Sequence, residues 1–194
     1  ACAPFRRLYM CDRNLEHIEP TKITTHNLLL DVCLAAQYEG QSITGSYRQY
    51  QAKYDDSGSQ LCTVLAQSFA DIGDIIRGKD LYRGNNREND KLEKKLKEYF
   101  KKIYEELVKK YKEEAKDYYK DTENYFQLRE DWWALNRDQV WKAITCDAHD
   151  SRYRKMGADG SITESAMRQC RNVADVPTNF DYVPQYLRWF EEWA

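Results

Sequence analysis

The 194-residue chain is short of helix breakers: it holds only eight glycines and four prolines. A sandwich built from many tight turns needs more of both, so helices are the better expectation. No apolar run approaches the roughly 18 residues that a membrane-spanning helix needs. The opening "ACAPFRRLYMC" lacks an apolar signal core, so no targeting segment is expected there. Net charge is only −2, which argues against a dedicated nucleic-acid binder and leaves room for local basic patches. There is no CxxC pair, and His17, His26 and His149 stand at no ligand-like spacing from the cysteines, so neither a metal nor another cofactor is expected. No N-x-S/T sequon occurs, which neither supports nor excludes export.

What the chain does have is charge (32%), apolar residues (42%) and length enough for one domain, or one and a fraction, with a real core. Six cysteines stand at Cys2, Cys11, Cys33, Cys62, Cys146 and Cys170. Their even number favours disulfides over unpaired thiols, but sequence does not choose the pairing.

The first twenty residues read as irregular. "TTHNLLLDVCLAAQYEG" reads as a helix capped by Thr24 or Thr25 and stopped by Gly40. Asp31 is its only charge between Leu28 and Ala36, so it is expected to be central. A loop with a short helix follows. Leu61, Leu65, Phe69, Ile72 and Ile76 then form one helical stripe, with Asp71 and Asp74 on its flank. "KDLYRGNNREND" reads as a turn-rich loop.

From Asp90 to about Thr122, Leu92, Leu96, Tyr99, Ile103, Leu107, Tyr111, Ala115 and Tyr118 recur at helical spacing among balanced charges. This is expected to be a long, solvated helix packed on a partner in the same domain. Beyond Cys146 the expectation is loop, with a short helix ending at Cys170. A final helix begins at Pro184, with Tyr186, Trp189, Phe190 and Trp193 as its stripe. The chain stops within that helix, so a fragment is expected.

"YFQLREDWWALNRDQVWKAITC" concentrates three tryptophans. At about 100° per residue, Trp132, Trp133, Leu135, Val140, Ala143 and Ile144 cover more than half of a helix, which is therefore expected to be enclosed. Arg129 and Asn136 share that apolar side. A buried guanidinium must find carboxylates or carbonyls, and Asp71 and Asp74 are the expected partners in a polar lock between two helices.

"FADIGDIIRGKDLY", "LREDWWALNRDQVWKAITC" and "VPTNFDYVPQYLRWFEEWA", in that order, resemble the alpha-type Duffy-binding-like domain of Plasmodium falciparum erythrocyte membrane protein 1. "CAPFRRLYMCDRNLEHI" and "LLLDVCLAAQYEGQSI" are similar to its beginning. With only Cys146 and Cys170 between "DIGDI" and "PQYLR", the chain resembles the two-cysteine sort. The resemblance implies a mainly α fold: a disulfide-linked helical bundle with long irregular loops. It places residues 1–60 in a first subdomain and 61–194 in a middle helical one, with the last subdomain and the segment before the first cysteine absent.

The implied function is host-cell adhesion, without catalysis, by a variant surface antigen. Its place is the extracellular face of the infected erythrocyte, anchored by a transmembrane segment elsewhere and not by this piece. Implied partners are host-cell surface receptors and glycans (heparan-sulfate-like chains, blood-group sugars, complement receptor) engaged in rosetting and cytoadherence, and host antibodies.

Sulfates call for exposed cations rather than a deep pocket. Two clusters qualify: Arg77, Lys79, Arg83 and Arg87, and Arg152, Arg154 and Lys155 joined by Arg168 and Arg171. Solubility and scattered ion pairs are the favoured account of either cluster. Two other classes compete. A thiol enzyme would use Cys146 with His149, and a non-adhesive helical scaffold would position a neighbouring binding domain.

Overall fold

The structure, a computed structural model, describes residues 2–11, 15, 25–54, 60–82 and 86–193, without the side chains of residues 25, 26, 50–54 and 86–90. Its helices are α1 (Phe5–Leu8), α2 (Thr25–Tyr54), α3 (Leu61–Arg77), α4 (Asn86–Tyr111), α5 (Glu113–Tyr118), α6 (Phe126–Ile144) and α7 (Gln185–Trp193). A two-stranded hairpin, β1 (Arg154–Met156) and β2 (Ile162–Glu164), and a 3₁₀ turn (Phe180–Tyr182) lie between α6 and α7. The molecule is mostly helical, as expected.

The centre is α3, not α2. From Leu65 to Arg77 every residue of α3 is buried, because α2, α6, α7 and the 3₁₀ turn pack around it. Phe69 wedges between two indoles of α6, with ring centroids 5.1 Å from Trp133 and 5.2 Å from Trp141. Offset and edge-on contacts of this kind add about 0.5–1.5 kcal/mol each beyond the area they bury. Gly78 (φ 72°) takes the left-handed conformation that closes α3.

Among its described side chains α2 buries one stripe, Leu28, Val32, Ala35, Ala36, Glu39 and Thr44, while Leu30 and Tyr38 face solvent. Nor does it stop at Gly40. It runs on to Tyr54, and Gly40 serves close approach instead: a Cβ there would collide with the Ile144 carbonyl of α6. In sequence a stopping glycine and a contact glycine look alike.

The charged stretch is two helices rather than one. Lys112, at φ 50°, breaks it. Leu92, Leu96, Tyr99, Phe100 and Ile103 are buried, but Tyr111 and Tyr118 are exposed. α4 does pack on a partner in the same domain, and Phe100 meets Trp132 edge-on at 6.2 Å. The tryptophan-rich α6 is interior along Leu128, Arg129, Trp132, Trp133, Val140, Trp141 and Ile144. Leu135 departs from the expectation at 81% exposed.

Beyond Cys146 the chain forms the antiparallel hairpin, with Arg154 opposite Glu164, Lys155 opposite Thr163 and Met156 opposite Ile162. The sequence reading missed it, although "GADG" between Met156 and Ser161 is a turn signal. Cys62 and Cys170 are joined by a disulfide, which ties the start of α3 to the segment after the hairpin. Of the other cysteines expected to pair, Cys2, Cys33 and Cys146 carry thiols. One apolar core runs from Leu28 and Val32 through α3 and α6 to Val176.

Candidate functional site

Asp71 lies at the middle of an inner polar network. Its Oδ1 accepts hydrogen bonds from Arg188 Nη2 (2.7 Å), Gln185 Nε2 (3.0 Å) and Trp189 Nε1 (3.3 Å). Its Oδ2 accepts from Arg6 Nη2 at 2.7 Å. Asp74 accepts from Arg77 (2.8 Å) and Arg188 (2.7 Å). Asp181 accepts two bonds from Arg137 and one from Trp133 Nε1.

Burial alone would raise both helix-α3 carboxylates. At Asp71 the guanidinium charges of Arg6 and Arg188 outweigh it and hold the group below the usual range. At Asp74 burial wins over Arg188 and Arg77, helped by the Asp71 charge, and the carboxyl is pushed up to about 6.

The expected lock is therefore rewired. Arg129 is fully buried, as periodicity placed it, but it does not reach Asp71 or Asp74. It donates to both Glu93 oxygens (2.7 and 2.9 Å) and to the carbonyls of Ile75 and Ile76, which end α3. Asn136 is not a partner either; its side chain turns back to the Trp132 carbonyl at 2.7 Å. The carboxylates of α3 serve α1 and α7 instead. Arg137, Gln185 and Arg188 were not singled out from sequence. Gln185, Arg188 and Trp189 fall at i, i+3 and i+4, and that spacing is the signal that would have placed them on one inward face. Correspondingly, Tyr186, Phe190 and Trp193 of the expected α7 stripe face outward.

The first basic cluster does not form one surface. Arg77 is 2% exposed, and its guanidinium is committed to Asp74 and to the Gly73 and Asp181 carbonyls. Lys79 is exposed but pairs with Glu130. A cleft of about 290 Å³ opens beside them, lined also by Leu81, Tyr182, Pro184 and Tyr186. Arg83 and the side chain of Arg87 lie outside the described residues.

The second cluster is on the surface but is divided by strand geometry. Successive residues of a strand point to opposite faces, so Arg154 and Lys155 part company. Arg154 pairs with Glu164 across the hairpin at 2.8 Å. Arg168 pairs with Asp150 at 2.7 Å. Arg171 is turned inward to Thr145 Oγ1 and the Lys142 carbonyl, pinning this segment to the end of α6. Arg152 donates to the Ser165 and Ala166 carbonyls. Among the described residues, neither Arg152 nor Lys155 has a carboxylate partner. Lys155 lines a second cleft of about 190 Å³, with Tyr153, Thr163, Glu164, Ser165, Asn172 and Pro177.

Thiol chemistry has no support at Cys146. Burial, with the neighbouring Asp147 charge, pushes its thiol up, whereas a nucleophilic cysteine needs its pKa depressed. Among the described residues no cluster of His, Cys, Asp and Glu could hold a metal ion, and no helix is long and apolar enough to cross a membrane.

Comparison with known proteins gives the class. A family model described as the Duffy binding domain matches residues 1–188. The NTS-DBL1α domain of membrane protein 1 from the varO strain of Plasmodium falciparum superposes with a TM-score of 0.87 at 44% identity, covering all of this chain and 43% of that one. The DBL1α–CIDRγ double domain from the same strain gives 0.85 at 44% identity, covering all of this chain and 27% of that one. An ICAM-1-binding DBLβ domain of PfEMP1 gives 0.74 at 35% identity over 97% of this chain and 41% of that one. No curated protein matches.

The chain belongs to the Duffy-binding domain family, and it is similar to DBL1α domains of PfEMP1 over its full length. It spans less than half of the solved chains it matches. Domains of this family in PfEMP1 are adhesion modules rather than enzymes, and some bind host receptors such as ICAM-1.

Proposed function

We propose that this chain is part of an adhesion module of a variant antigen displayed outside the infected erythrocyte, and that it contacts acidic glycans on host cells through the hairpin surface. The observation that carries the reading is the pair of uncompensated cations, Arg152 and Lys155, standing on a hairpin anchored by the disulfide and by Arg171. The DBL1α likeness supports host-cell adhesion as the setting. The buried ion network of α3 takes no part in recognition; it holds the scaffold on which the hairpin stands.

Retention on immobilised heparin tests this. A salt-sensitive retention that falls when Arg152, Arg154, Lys155 and Arg168 are replaced together by alanine is expected. Undiminished retention at physiological ionic strength would remove the hairpin from consideration.

A second reading has one observation in its favour. Phe5 and Tyr9 of the α1 region and Phe190 and Trp193 of α7 are exposed, and Arg6–Glu192 and Trp193–Cys2 hydrogen bonds bring the two elements together. This apolar face suits a scaffold that positions a neighbouring binding domain. On that reading the chain shows no affinity for any host glycan or receptor, yet the completed domain does.

A further inference from the structure

We infer that the cleft beside Lys155 is a subsite for a single sugar ring carrying one acidic group, sulfate or carboxylate. The inference deepens the glycan reading above and rests on it.

The hairpin register puts Lys155 and Thr163 opposite each other. The next pair on the same face is Tyr153 and Ser165, joined by Ser165 N–H donating to the Tyr153 carbonyl at 2.7 Å. These four, with Glu164, Asn172 and Pro177, line about 190 Å³. Drug-sized sites begin at roughly 300 Å³, so the cleft suits one ring rather than a whole oligosaccharide. The rest of the chain would run across the exposed hairpin.

The wall is rigid. Tyr153 is buried, its hydroxyl donates to Thr178 Oγ1 at 3.1 Å, and its ring meets Trp141 edge-on at 6.2 Å. With Pro177 it offers a fixed apolar wall to the C–H face of a sugar. The polar groups are unequal in what they leave over. Ser165 is spent, accepting from Tyr153 N–H at 2.9 Å and donating to the Met167 carbonyl at 3.0 Å. Asn172 Oδ1 accepts from Ala166 N–H at 3.2 Å, which fixes the amide and leaves its Nδ2 hydrogens to donate. Glu164, the one acidic residue of the lining, is neutralised by Arg154 at 2.8 Å.

The unspent groups are the Lys155 ammonium and the Asn172 amide hydrogens, whereas the Thr163 hydroxyl already donates to the Lys155 carbonyl at 3.5 Å. Donors and one positive charge prevail, so an anion is selected. The apolar wall distinguishes a ring-borne anion from a bare one.

The test uses the full chain in competition against immobilised heparin at physiological ionic strength. Glucosamine 6-sulfate, glucosamine and inorganic sulfate are the competitors. The sulfated sugar should displace the protein at concentrations where neither other probe does. Lys155→Ala should weaken heparin binding about tenfold, the scale of one charge-assisted hydrogen bond, and Asn172→Ala severalfold. Lys116→Ala, which removes an equal charge from exposed α5, should leave it unchanged.

Heparin binding that survives both Lys155→Ala and Asn172→Ala overturns the subsite while leaving the wider glycan reading in place. Equal competition by inorganic sulfate overturns the sugar ring. Absence of any heparin binding by the unaltered chain overturns the glycan reading and the subsite with it.

Discussion

Asp71 and Arg188 stand 117 residues apart in sequence, and their side chains meet at 2.7 Å with both groups buried. This contact docks α7 onto α3. A nine-residue helix with only Gln185, Arg188 and Trp189 buried has little apolar area to hold it. Arg6 reaches the same carboxylate from α1, so one aspartate gathers both ends of the described chain.

Replacing Asp71 by Asn keeps its shape and removes its charge, leaving two buried guanidinium groups short of a partner. Removing one member of a buried ion pair costs roughly 3–5 kcal/mol. Glu192→Gln, which touches the same Arg6 from the more exposed side, should cost no more than about 1 kcal/mol. Urea unfolding of the two variants checks this, and equal costs would contradict the assigned burial.

Asp71 and Asp74 should pull stability in opposite directions with pH. The Asp71 pKa is lowered on folding, so its contribution is present above the unfolded value and lost as pH falls through the folded one. The Asp74 pKa is raised from its ordinary 3.8 to about 6. The folded state therefore binds that proton more tightly, and the contribution fades as pH climbs from 3.8 to about 6. Asp74→Asn should gain on the unaltered protein across that window and run parallel to it above. Urea midpoints taken across the window at constant ionic strength read the difference; a pH-independent gap would show that the Asp74 pKa is not raised.

Periodicity made the interior of α6 legible, because Trp132, Trp133, Val140, Trp141 and Ile144 repeat on one side. It also placed Arg129 inside correctly. It did not find Glu93, because a glutamate in a charged helix carries no mark of the one arginine it faces. Leu135 and three of the four α7 aromatics, Tyr186, Phe190 and Trp193, were misplaced because apolar spacing reports a helix face without saying whether anything covers it. The order of motifs carried the family and hence the fold. The hairpin cleft was illegible for a different reason: Lys155, Thr163, Asn172 and Pro177 are brought together by strand register and by chain return, and neither leaves a local pattern.

Gly40 gives a test in which two principles oppose each other. In a free helix, alanine improves on glycine by roughly 0.5–1 kcal/mol. Here the added carbon meets backbone, the Ile144 carbonyl, which cannot rotate away as a side chain would. Forcing a methyl into packed structure costs about 1–3 kcal/mol, so Gly40→Ala should destabilise on balance. Thermal unfolding decides it, and a higher Tm for the variant would place α2 farther from α6 than described.

The Cys62–Cys170 bond spans 108 residues, so its removal frees a large loop in the unfolded chain and should cost about 2–5 kcal/mol. The informative experiment pairs mutation with reductant. Replacing both cysteines by alanine should lower the urea midpoint about as far as reductant lowers that of the unaltered protein. Both residues are buried, and alanine keeps the site apolar, so lost packing adds little beside the lost cross-link. The double variant should then be indifferent to reductant. A further fall on reduction would mean a second disulfide among the remaining cysteines. No fall in either arm would mean that Arg171 and the Tyr153–Trp141 packing hold the hairpin without covalent help.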